Sequence, residues 1–188
     1  RFTKIKKSSL NNIWCLTYDK RCYLFNTRTY EYQDPFLFNK SLTNSVSKLY
    51  ALGKGITWAV GMQNELYRID ENKFPATESV ELYSGRNERD TIYGITQDKD
   101  GDEWILTNKG ALIVGQKSIS NLMPFEFMVE IPGGIYLATS KGFFTRYDTQ
   151  SQDVLPCVPE QPISEITGLK SLADNKIVIL QNRSIILY

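Results

Sequence analysis

Histidine is absent from the 188 residues. That removes a Ser-His-Asp triad, a Cys-His pair and histidine metal ligation from the chemistry this chain could do. No Cys-x-x-Cys and no glycine-rich phosphate loop occurs, so no catalytic group, metal or cofactor is expected. What remains are side chains suited to recognition. The stretch Tyr83-Ser-Gly-Arg-Asn-Glu-Arg-Asp-Thr91 offers Tyr83 as a stacking surface. Beside it, Arg86 and Arg89 are forked donors matched to carboxylate, sulfate or hydroxyl groups. Ion pairs of these arginines with Glu88 and Asp90 in a solvated loop are the plainer use of the same residues. Tyr18, Arg21, Lys109, Lys141 and Arg183 stand in short polar segments and join them as candidate ligand contacts. Asp19, Glu65, Asp90 and Glu160 would serve glycoside hydrolysis only if two of them converged across a sugar, and no motif supports that. Asp98-Lys-Asp-Gly-Asp102 has the alternating carboxylates of a calcium loop. It lacks the distal bidentate glutamate, and its Asp-Gly pair has a simpler use as a turn.

The elements that hold these residues come from a repeat. The same ungapped block occurs five times, anchored on Trp14, Trp58, Trp104, Tyr136 and Val178. Nine residues before the anchors stand Ile5, Leu49, Ile95, Phe127 and Leu169, and three before them Asn11, Gly55, Gly101, Gly133 and Asn175. The last set tolerates the left-handed region, and Asp100-Gly101 predicts a two-residue hairpin turn with positive φ at both positions. The strands leaving these turns, such as Glu103-Trp-Ile-Leu-Thr107 and Ile56-Thr-Trp-Ala-Val60, are apolar on both faces and must be covered twice. A polar turn and a third strand follow, as in Cys22-Tyr-Leu-Phe25 and Leu66-Tyr-Arg-Ile69; a variable outer strand comes after that.

Anchor-to-anchor spacings of 44, 46, 32 and 42 residues, with three constant strands and one variable strand, predict four-stranded blades of an all-β propeller. The expected blades run over 1–44, 45–90, 91–122, 123–164 and an incomplete 165–188, in a single propeller segment. A β-sandwich also has many short strands, but it would not keep its turn residues in register with a repeated block. The Trp14, Trp58 and Trp104 column belongs in the core between blades rather than on a sugar-stacking platform. Tyr30 and Tyr32, in outer-strand pieces, are open to either use. The fifth block stops before an outer strand, so five blades within a larger ring of seven-bladed type are expected. Arg1 opens directly into the first strand, so a natural start upstream is expected as well.

The composition is that of a globular chain, 41% hydrophobic and 23% charged. A net charge of +1 gives no global pull toward nucleic acid or membrane, and no apolar run is long enough to span a bilayer. Of Cys15, Cys22 and Cys157, the first two fall on adjacent strands of the first blade. They read as buried hydrophobes, with a cross-strand disulfide the alternative.

The run Asp98-Lys-Asp-Gly-Asp-Glu-Trp-Ile-Leu-Thr-Asn-Lys-Gly-Ala-Leu112 resembles the two-component regulator propeller repeat. Asn12-Ile-Trp-Cys-Leu-Thr17 and Gly134-Ile-Tyr-Leu-Ala-Thr-Ser-Lys-Gly142 resemble it too. Leu16 and Leu106 replace its usual small residue before threonine, and Gly61 stands where block two should have the threonine. The resemblance implies the periplasmic sensor region of a Bacteroidetes hybrid two-component regulator. Such regions detect oligosaccharides and switch on polysaccharide-utilisation genes, without catalysis in the propeller itself. It also implies a homodimer of the full ectodomain, with membrane and kinase parts outside this sequence. A propeller scaffold for protein–protein interaction and a carbohydrate-active enzyme are the other functions open to this fold.

Overall fold

Each repeat folds into a small antiparallel sheet of its own. The computed structural model describes all residues except 9, 39–44, 75, 77–78, 85–89, 99, 115–124, 133, 149, 152, 158–162 and 173–174. The chain divides into two compact units, Arg1–Arg89 and Asp90–Tyr188. Unit 1 holds two four-stranded meanders. The first is β1 (Phe2–Lys7), β2 (Ile13–Thr17), β3 (Cys22–Phe25) and β4 (Tyr32–Gln33). The second is β5 (Val46–Ala51), β6 (Ile56–Gly61), β7 (Leu66–Asp70) and β8 (Val80–Leu82).

Unit 2 holds three. Sheet three is β9 (Ile92–Gln97), β10 (Glu103–Thr107) and β11 (Gly110–Ile113). Sheet four is β12 (Phe127–Ile131), β13 (Gly134–Ala138), β14 (Phe144–Tyr147) and β15 (Val154–Pro156). Sheet five is β16 (Ile166–Ser171), β17 (Ile177–Gln181) and β18 (Ile185–Leu187). In every sheet, strands that follow one another in sequence pair directly, which is the blade pattern of a propeller. The two layers of a sandwich are not what these strands form.

The second strand of sheets one to four is buried on both faces, while in sheet five Ile177 and Ile179 are buried and Leu180 is exposed. In unit 1, Trp14, Leu16 and Leu24 of sheet one pack with Leu49, Ala59, Tyr67 and Ile69 of sheet two. In unit 2, Trp104, Leu106 and Ile113 of sheet three pack with Ile135, Leu137 and Tyr147 of sheet four. The Trp104 and Tyr147 rings meet edge-on at 5.1 Å, a favourable aromatic geometry. The other face of sheet four, with Ala138 and Phe144, closes on Ile166, Ile177 and Ile179 of sheet five. Trp14, Trp58 and Trp104 are 0%, 0% and 1% exposed, so the tryptophan column is blade core.

The repeated turns depart from the expectation in one respect. Lys54 and Gly55 both have positive φ, at 57° and 79°. In the third block only Gly101 does, at 97°. Asp98 N–H there donates to the Asp102 carbonyl at 3.0 Å and Gly101 N–H to the Asp98 carbonyl at 3.1 Å. That is a longer turn closed by one left-handed residue. Block one repeats it, with Asn11 at 63° and the Ser8 N–H donating to the Asn12 carbonyl at 2.9 Å. The extra residue lets a polar side chain at its first position fold over the turn, which is the use made of Ser8 and Asp98.

All three cysteines are free. Cys15 pairs with Tyr23 and Cys22 with Leu16, so neighbouring pairs put the two thiols on opposite faces of sheet one. Burial pushes the Cys22 thiol well above its ordinary value of 9.0, and the Asp34 charge adds to the shift. Burial also raises Cys15 and Cys157. Above pH 9.0 the unfolded Cys22 thiol ionises while the folded one stays protonated, so the unfolded state binds fewer protons and stability falls as pH rises. Urea midpoints are therefore expected to drop on going into the alkaline range, with a shallower slope in Cys22→Ala. A thiol reagent at pH 8 is expected to spare Cys22 in the native protein and to label it on unfolding. Equal labelling before and after unfolding would contradict this burial.

Candidate functional site

One device recurs at the same end of every sheet. The turn from second to third strand is tied to the residue just before the first strand. Tyr18 N–H donates to the Arg1 carbonyl at 3.0 Å, Met62 N–H to Ser45 at 3.0 Å and Asn108 N–H to Thr91 at 3.1 Å. The Asn108 side chain returns the contact, its Oδ1 accepting from Thr91 N–H at 2.9 Å. In sheet four, Glu126 Oε1 accepts from the Ser140 hydroxyl at 2.6 Å and from its N–H at 3.3 Å. In sheet five, Asn182 Nδ2 donates to Glu165 Oε2 at 3.2 Å. The polar turns are thus held on a scaffold, the usual condition for a loop that binds.

Tyr18, Arg21, Lys109, Lys141 and Arg183 all sit in these turns and are exposed. In unit 1, Tyr18 is 76% exposed. Arg21 faces Asp19 at 3.5 Å, a surface pair too solvated to fix either partner. The Thr17 hydroxyl first, and the Arg21 charge with it, hold the Asp19 carboxyl below its ordinary value. Tyr83 follows β8, its N–H donating to the Leu66 carbonyl at 2.8 Å. Its ring stands edge-on to the buried Trp58 at 5.3 Å, so it is partly buried against the core. Arg86 and Arg89 lie outside the described residues, as do Glu88 and Glu160.

In unit 2 Arg183 lines a cleft that Lys141 does not line, although the turn holding Lys141 lies against the segment leading into β16. Gly142, beside Lys141, has a φ of +91°, and a Cβ there would come within 2.4 Å of the Ile163 carbonyl oxygen. The sheet-four turn therefore lies directly on the segment Ile163–Ser164 that leads into β16. Glu165 follows, itself at a φ of 50°, a conformation rarely adopted without glycine. Next to it, Ser164, Glu165, Gln181, Asn182, Arg183 and Ser184 line an open cleft of about 410 Å³. Gln181 Oε1 accepts from the Ser184 hydroxyl at 2.8 Å. Gln181 Nε2 is buried and has no partner among the described residues, and an unmet buried donor is costly. The wall so formed offers an amide donor, a guanidinium, two hydroxyls and a carboxylate, which suits a polyhydroxylated or carboxylated molecule. Lys109, in sheet three, is not among the residues lining the cleft.

The sequence pointed to Lys141 and Arg183 through their polar turns. It did not point to Gln181, the last residue of an apolar strand, or to Glu165, whose role depends on a partner 17 positions away. The acidic run Asp98–Asp102 has a different use from cation binding. Asp98 Oδ1 accepts from the N–H groups of Asp100, Gly101 and Asp102 at 3.1, 3.0 and 2.8 Å. Asp98 Oδ2 accepts from Trp104 Nε1 at 2.8 Å. Among the described residues no group of three or more His, Cys, Asp or Glu is placed to hold a metal.

The same fold recurs in solved structures. The extracellular domain of a hybrid two-component system of B. thetaiotaomicron superposes with a TM-score of 0.67 at 14% identity, over 99% of this chain and 26% of that one. A second such domain from that organism gives 0.62 at 15% identity, over 94% and 24%. Virginiamycin B lyase from Staphylococcus aureus, solved with quinupristin, gives 0.58 at 18% identity, over 98% and 68%. This chain spans about a quarter of the length of the first two. At these identities the likeness establishes the propeller fold. No protein-family model matches the sequence, and no curated protein matches it.

Proposed function

We propose that this chain is a ligand-sensing propeller segment from the extracytoplasmic part of a hybrid two-component sensor, and that its ligand is an oligosaccharide. The observation that carries this reading is the sheet-five cleft, where Gln181, Arg183 and Glu165 stand together with two serine hydroxyls. Enzyme chemistry has less to work with. The chain has no histidine, and the acid that lines the cleft, Glu165, is engaged with Asn182. Recognition without turnover needs only what the cleft has, donors and acceptors on a fixed frame.

In this reading the propeller lies in the periplasm. A ligand shifts the packing of an ectodomain homodimer, and a kinase elsewhere in the polypeptide reads the shift to control polysaccharide utilisation. The support is the repeat resemblance together with the shared fold of the two sensor ectodomains.

Calorimetry with a panel of oligosaccharides tests it. Arg183→Ala and Gln181→Ala are each expected to weaken binding by roughly tenfold, the worth of one good polar contact. Both residues lie at the surface end of β17, so the fold is expected to persist, as circular dichroism would verify. A ligand bound with unchanged affinity by both variants would remove the cleft from consideration.

A further inference from the structure

The near-neutral chain is made of two oppositely charged units. Unit 1 has 14 Lys and Arg against 9 Asp and Glu, a net +5; unit 2 has 8 against 12, a net −4. Much of the positive excess lies in β1 and the residue before it. Arg1, Lys4, Lys6 and Lys7 precede the first acid of the chain, Asp19.

β1 is an edge strand of sheet one and touches β5, an edge strand of sheet two. Lys4 pairs with Leu16 and Lys6 with Trp14, so the two lysines project from the same face of β1. At two residues' separation their Cα atoms are about 6.6 Å apart. Lys6 Nζ lies 5.4 Å from the ring centroid of Tyr50 on β5, so the lysine reaches across to the neighbouring strand. Lys48 is exposed on β5 as well.

Among the described residues, no ion pair joins Lys4 or Lys6 to a carboxylate. The ion pairs of this unit include Asp19 with Arg21, and Asp70 and Glu81 with Lys73. Burial, and then the charge of Lys4, hold the Lys6 amine below its ordinary value. Two like charges on one strand face repel, and an anion between them turns that repulsion into attraction. An edge strand with lysines also resists pairing with another strand, but that role asks for exposed side chains. Lys6 is half-buried against an aromatic ring.

We propose that the β1–β5 edge of unit 1 binds an anionic oligosaccharide, with Lys4 and Lys6 as partners for carboxylate or sulfate groups that repeat along it. The site rests on the ligand-sensing reading above and narrows the ligand from sugars in general to charged ones. Tyr50 holds the Lys6 ammonium across the β1–β5 seam, while Lys4, on the same strand face, extends into solvent. A chain with regularly spaced negative groups meets both at once. A free inorganic anion has only one centre to offer.

The test is calorimetric titration of the 188-residue chain with sulfated, uronate-containing and neutral oligosaccharides of matched length, at low and high salt. Inorganic sulfate serves as a further titrant. An anionic oligosaccharide is expected to bind and its neutral counterpart not to, with affinity falling as salt rises. Lys4→Gln combined with Lys6→Gln is expected to cost about tenfold or more, while Arg28→Gln, exposed in the same unit, leaves binding unchanged. Neutral sugars bound as well as anionic ones, with no effect of the lysine variants, would overturn the anionic site and leave the sensing reading standing. No binding of any oligosaccharide would overturn both. Inorganic sulfate binding as tightly as the sulfated oligosaccharide would overturn the saccharide and leave a simple anion site.

Discussion

Replacing Glu71 with alanine is expected to destabilise unit 1 by roughly 3–5 kcal/mol, since each orphaned buried donor costs about 1–3 kcal/mol. Glu71 is 6% exposed and stands in the single 3-10 turn Glu71–Lys73 after β7. Its Oε1 accepts from Trp14 Nε1 at 2.7 Å and from the Thr57 hydroxyl at 3.1 Å. Its Oε2 accepts from the Ser8 hydroxyl at 2.5 Å. Ser8, Trp14 and Thr57 are all buried, so water cannot replace the lost acceptor. The carboxylate thus joins sheet one to sheet two at the point where their apolar faces meet.

A loss of this size is a large share of the stability of a small domain. Urea unfolding followed by tryptophan fluorescence would measure it. Adding Trp14→Phe to Glu71→Ala removes one of the orphaned donors, so the double variant is expected to lose less than the sum of the singles. A cost of Glu71→Ala below about 1 kcal/mol would show that the three donors find other partners.

The second large effect is expected at Asp98, in unit 2. Asp98→Ala strips the acceptor from three turn N–H groups and from the Trp104 indole. A loss of roughly 2–4 kcal/mol follows, less than four full penalties because the turn is only partly buried. Asp98→Asn keeps an oxygen for the turn but turns an N–H₂ toward the indole N–H, so it should fall between wild type and alanine. Amide exchange locates the damage. The N–H groups of Asp100, Gly101 and Asp102 are expected to lose protection in Asp98→Ala, ahead of the strands on either side. Unchanged protection there would mean that backbone geometry alone holds the turn.

Glu71 and Asp98 do the same work from different places. Asp98 stands six residues before Trp104, as Ser8 stands six before Trp14. An aspartate at that position reaches both its own turn and its own indole. Serine caps the turn, with Leu10 N–H donating to its hydroxyl at 3.0 Å, but is too short to reach the ring. Glu71 enters from sheet two and fills the gap. Nothing in the first repeat announces this, because the acid that completes it lies 57 residues beyond Trp14.

The repeat itself was legible. Blocks in fixed register, with Gly or Asn three residues before each anchor, led to five meander sheets with a buried tryptophan column. Strand periodicity and turn preference are local, and local preference shows in a single sequence. Even here the turn was misread by one residue: Asp100-Gly101 suggests a two-residue turn, while the backbone around Asp98 makes a longer one. Only the contact between Asp98 and the turn amides distinguishes them.

Site residues divide along the same line. The sequence by itself determined which turns would be polar and which of their side chains, Lys141 and Arg183 among them, would reach solvent, because a short turn between apolar strands has nowhere else to put a charge. Tertiary structure alone decided that the Lys141 turn rests on Ile163–Ser164 and that Glu165 holds Asn182. It also decided that Gln181 lines a cleft with Arg183 and Glu165, and that Lys6 lies over Tyr50. Each of these joins residues from separate strands or separate sheets, and the distance between them is set by packing rather than by the chain that links them.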